Sequence, residues 1–173
     1  RDPLEVIQAG LRTFRFVDGT DWVAGRKTWK IRVHPEIPTK LLRSAIRSYG
    51  AKFGVREHDV CLMWDQTMYG DCEYGLLLTR NAMVQYSPRF IHNNELRKTG
   101  WRLSYTEIMA VNWAIQSTAR IGSSEVQVQG QHLLTVATAS RLYKLPMYEG
   151  PMHSCGAFAA VLRALAGLPY DSE

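Results

Sequence analysis

Apolar residues along this chain fall into two spacings, one of strands and one of helices. Val60 to Thr67 (VCLMWDQT) is apolar at consecutive positions, as expected of a strand covered on both faces. Gly70-Asp71 reads as a turn, and Gly75 to Thr79 (GLLLT) as a second strand. Arg80-Asn81 then reads as a two-residue loop, with Asn supplying the positive φ that such loops use. Ala82 to Tyr86 returns as a third strand, so the three make an antiparallel meander with Asp65 and Thr67 at a strand end.

Helical spacing occurs in three places. Asp2-Pro3, followed by Leu4, Ile7 and Leu11, is a capped helix start. Thr39 reads as an N-cap for a helix reaching about Ala51, with Leu41, Leu42, Ala45, Ile46 and Tyr49 on one face and Lys40, Arg43 and Arg47 on another. A last helix spans about Gly150 to Ala166, with Phe158, Val161, Leu162 and Leu165 in phase and Gly167 and Pro169 as stop signals. Leu78, Phe158 and Leu162 are expected in the core.

The rest is less regular. Phe14 to Gly25 reads as irregular with Trp22 as an anchor, and Thr28 to Val33 as a short strand before the Pro35 and Pro38 loop. Ser87 to Gly100 is polar and reads as the longest loop. Trp101 to Ser104 and Ile108 to Ile115 read as strands around a turn at Tyr105 to Glu107. Ser117 to Ser124 reads as a connection, Glu125 to Gln129 as a half-solvated strand, Gly130-Gln131 as its turn, and Leu133 to Ala137 as the returning strand.

The segments IPTKLLRSAIRSYG, VCLMWDQTMYGDCEYGLLLTRNAMVQY and LSYTEIMAVNW, in that order, resemble bacterial pleckstrin-homology-like (PH-like) domain proteins of largely unassigned function. In those proteins a helix after Ile-Pro precedes a strand ending Asp-Asp-Thr, then a Gly, then a Gly-Leu-Leu-Leu-Thr hairpin. Gln66 departs from that pattern at the middle position. The resemblance covers roughly residues 37–111. It implies an α+β, mainly β fold: a PH-like antiparallel barrel or sandwich closed by a C-terminal α-helix, with additional N-terminal helices. Residues 1–36 would be an N-terminal extension packed on a PH-like domain at 37–173. The family brings no catalytic residues to carry over, and the step from fold to function is an analogy.

Composition narrows the chemistry. At 173 residues, with 46% hydrophobic and 21% charged, the chain can bury a core. Its net charge of +5 is compatible with an anionic partner. No apolar run approaches the ~18 residues of a membrane helix. The chain opens on Arg1, which suggests a start inside a longer or processed chain. Cys61, Cys72 and Cys155 are odd in number and lack C-x-x-C spacing, so a reducing, cytoplasmic setting is expected rather than a disulfide framework or a zinc site.

Candidate sites are few. Cys61 fits a strand core, and Cys72 fits an exposed turn. Cys155 near a helix start could act as a nucleophile, but His153 and Cys155, two apart, do not face each other on a helix. His34, His58, His92 and His132 have no ligand spacing, and the glycines form no phosphate loop, so no metal or cofactor is expected. Asp65, Asp71 and Glu73 could draw a cation weakly around one turn, without a calcium-loop pattern. Arg12, Phe14, Arg15, Phe16, Arg26, Lys27, Trp29, Lys30 and Arg32 interleave bases and aromatics as single-strand binders do, though no RNA- or DNA-binding signature accompanies them.

Three functional expectations follow. The first is a non-enzymatic PH-like module recognising a protein partner, as an accessory or inhibitory subunit, through Arg89, Phe90, Arg97, Lys98 and Trp101. The alternative is an anionic surface, lipid headgroup or nucleic acid, met by the basic N-terminal segment and by Lys40, Arg43 and Arg47. The third is a cysteine-dependent enzyme using Cys155.

Overall fold

The computed structural model describes residues 1–11, 31–67, 71–90, 96–121, 124–147 and 152–169. The chain is α+β, mainly β, with two antiparallel sheets and three α-helices among the described residues. It divides into two compact units, Arg1–Tyr105 and Thr106–Glu173.

The first unit holds α1 (Pro3–Gly10), β1 (Ile31–Val33), α2 (Thr39–Ser48), β2 (Val60–Asp65), β3 (Gly75–Thr79), β4 (Ala82–Phe90) and β5 (Leu96–Ser104). The strands pair in chain order, β1-β2-β3-β4-β5. Asp2 caps α1 by accepting from the Leu4 N–H, and Ile7 and Leu11 are buried. Pro38, rather than Thr39, is the N-cap of α2. Proline already has the extended backbone that an N-cap adopts, but it offers no side-chain acceptor.

Every position of β2 and β3 is buried, as their continuous apolar runs require. Met63, Leu77 and Val84 stand in register across three strands. They join Ile37, Ala45, Tyr49, Val55 and Cys72 in one apolar cluster. Gly75 makes this possible where β2 and β3 part. Its φ is +155°, and a Cβ there would stand 2.1 Å from the Trp64 carbonyl oxygen.

The β3–β4 connection does not use a positive φ at Asn81, because the Thr79 hydroxyl organises it. That hydroxyl donates to the Ala82 carbonyl (2.9 Å) and accepts from the Ala82 N–H (3.0 Å). The Tyr105 hydroxyl donates to the Thr79 carbonyl (2.9 Å), fixing the end of β5 to the same turn.

Ser87 to Phe90 and Leu96 to Gly100, expected in a loop, are strand. β4 continues to Phe90, β5 begins at Leu96, and the two pair throughout. β3 pairs with β4 only as far as Gly75 opposite Tyr86. Among the described residues the hairpin from Ser87 outward is a two-stranded ribbon, and Pro88 pairs there with one strand, at Lys98, as an edge position allows.

The second unit contains β6 (Ala110–Ile121), β7 (Ser124–Ala137), β8 (Leu142–Met147) and α3 (Met152–Leu165), with sheet order β6-β7-β8. Here too a connection read from polarity is strand: Ser117 to Ser124 lies largely within β6, and Gly130-Gln131 lies inside β7 rather than at a turn. The register shifts by a bulge between Gln116 and Thr118, opposite the segment that holds Gly130. Glycine serves a bulge as readily as a turn. β8 was not expected. Pro146 masks its strand character, and as an edge strand it can carry a proline. Val111, Leu134, Val136 and Leu145 are buried on the sheet, and Phe158, Ala159, Val161 and Leu162 on α3. The Arg163 Nε donates to the Val111 carbonyl (2.8 Å). The helix ends at Gly167, φ +68°, with the Leu168 and Gly167 N–H groups returning to the carbonyls of Arg163 and Ala164.

Candidate functional site

The β4–β5 hairpin brings together residues expected to meet a partner. Its register sets Arg89 opposite Arg97, Pro88 opposite Lys98, Phe90 opposite Leu96 and Gln85 opposite Trp101. The backbone of all these positions is described, while the side chains of Arg89, Phe90, Arg97 and Lys98 lie outside the described set. Trp101 is half-buried. Arg102 is exposed, but it donates to the Phe53 carbonyl (3.1 Å) and to Asn81 Oδ1 (3.4 Å), which anchors β5 to its own unit.

Aromatic packing supports this hairpin from α2 and the turn after it. Tyr86 stacks on Tyr49 with ring centroids 5.4 Å apart, and Phe53 meets Tyr86 edge-on at 6.4 Å. Lys52 Nζ lies 5.2 Å from the Tyr86 ring centre. Gly100, directly opposite Tyr86, leaves room for these rings. A Cβ there would be 2.6 Å from the Gln85 carbonyl oxygen, 2.7 Å from Tyr86 Cδ2 and 2.9 Å from Phe53 Cζ. Sequence reasoning passed over Gly100, whose role depends on a register that the chain does not display locally.

At the end of β2, Asp65 is buried and accepts from both the N–H and the hydroxyl of Thr67. The Thr67 Oγ1 in turn accepts from the N–H groups of Asp71 (3.0 Å) and Cys72 (3.3 Å). Asp65 is thus committed to Thr67, which ties it to the main chain of Asp71 and Cys72, while the Asp71 and Glu73 residues themselves are exposed. Among the described residues no group of three His, Cys, Asp or Glu side chains is placed to hold a metal ion. Gln66, the departure from the Asp-Asp-Thr pattern, accepts from Gln85 Nε2 (2.9 Å). A neutral amide suits this site, because Gln85 is itself buried and uncharged.

Cys72 corrects another expectation: it is buried, not exposed, and stands in the left-handed region at φ +58°. Burial pushes its thiol up to about 12, and the Asp65 carboxylate adds to the shift. Cys61 is also buried, and its thiol is pushed up to about 11, chiefly by burial. Thiols so shifted stay protonated at neutral pH and make poor nucleophiles. The side chains of His153 and Cys155 lie outside the described residues, as does most of the basic-aromatic segment, residues 12–30.

On α2, Lys40, Arg43 and Arg47 are all exposed, as their spacing requires. Arg43 Nε lies 3.2 Å from Glu57 Oε1, so an acid of the same unit already answers one of the three charges.

Comparison of the chain with protein-family models, curated proteins and solved structures gave no match. No helix among the described residues is long and apolar enough to cross a membrane.

Proposed function

We propose that this chain is a cytoplasmic, non-enzymatic PH-like binding module that recognises a protein partner as an accessory or inhibitory subunit. The observation that carries the reading is the β4–β5 hairpin, which draws Arg89, Phe90, Arg97, Lys98 and Trp101 onto two adjacent strands. Arg, Trp and other aromatics are the residue types that dominate interface energy, and the ribbon past Tyr86 holds some of them beyond the third strand. The antiparallel sheets followed by a C-terminal helix support the PH-like part of the reading. The buried free thiols of Cys61 and Cys72 fit a reducing compartment.

The test is capture of the natural partner from the host, followed by affinity measurements on Phe90→Ala and Arg97→Ala. Each hot-spot substitution should cost about 2 kcal/mol or more. Unchanged affinity in both variants, with the fold intact, removes the hairpin from the interface. Cys155→Ser should leave binding intact; an activity that it abolishes would favour the cysteine enzyme instead.

A second reading, an anionic surface met by α2, draws on the exposure of Lys40 and Arg47. Steep loss of binding with added salt would favour it, because phosphate contacts release counterions.

A further inference from the structure

We draw no further inference here: the strongest candidate, the apolar patch that Met109 and Leu142 expose at the Ala137 end of the β6-β7-β8 sheet, carries nothing because nothing in the structure shows what covers it.

Discussion

Asp2 and Arg80 meet through one carboxylate oxygen. Arg80 Nη1 donates to Asp2 Oδ1 over 2.7 Å, and the Leu4 N–H donates to the same atom over 3.1 Å. That oxygen therefore starts α1 and fastens it to the β3–β4 turn.

Two substitutions separate these roles. Asp2→Ala loses cap and ion pair together and should cost about 1–2 kcal/mol. Asp2→Asn keeps a capping oxygen and loses only the charge, a cost within about 1 kcal/mol for a half-exposed pair. Urea unfolding of both variants checks the order, and equal losses would mean that the cap contributes nothing.

Gly75 and Gly167 both hold positive φ for different reasons. Gly167, at φ +68°, has open space where a Cβ would be, so Gly167→Ala should cost only the left-handed backbone term, about 1–2 kcal/mol. Gly75→Ala drives Cβ against the Trp64 carbonyl, which cannot step aside without breaking the β2–β3 pairing. Its cost should exceed about 3 kcal/mol, in the tail of single substitutions. Similar midpoints for both variants would refute the distinction.

Buried thiols set an alkaline limit. The Cys61 and Cys72 thiols ionise near 9.0 when unfolded and at about 11 and about 12 when folded. Their raised values favour the folded state fully below pH 9. That contribution is lost as pH rises from 9 towards 11 and 12, at most about 1.4 kcal/mol per pH unit for each thiol. The buried hydroxyls of Tyr49 and Tyr105, also raised by burial, extend the loss above pH 10. Denaturant midpoints should therefore fall above pH 9, and less steeply in Cys72→Ala. A flat profile from pH 9 to 11 would show that the thiols are not held protonated.

Leu162 is fully buried on α3. Leu162→Ala should cost about 2–5 kcal/mol by chemical denaturation. A loss below about half a kcal/mol, as at a surface site, would mean that the helix does not dock.

The legible parts of the chain were those covered on both faces or held in phase along a helix. GLLLT was read to the residue, and the cations of α2 lie exposed as their spacing implied. What escaped were the stretches where two strands pair without a third. Among the described residues Ser87 to Phe90 and Ser117 to Ile121 pair only within their own hairpins, and their polarity imitated loops. β8 escaped because Pro146 is costly only in a central strand. At the candidate site the individual residues were named in advance. Their assembly on one hairpin depends on cross-strand register, and so does the space that Gly100 leaves for Tyr86 and Phe53.

In both sheets every strand lies beside its predecessor in the chain. Such an order can be built by successive hairpin closures, each joining segments already near one another. Among the described residues the widest gap between paired neighbours lies between β1 and β2, and α2 occupies part of it. Loop-closure entropy is therefore met in small steps, and low contact order goes with fast folding. A chain assembled in this way exposes each new strand edge only until the next strand arrives, and β5 and β8 are where that succession stops.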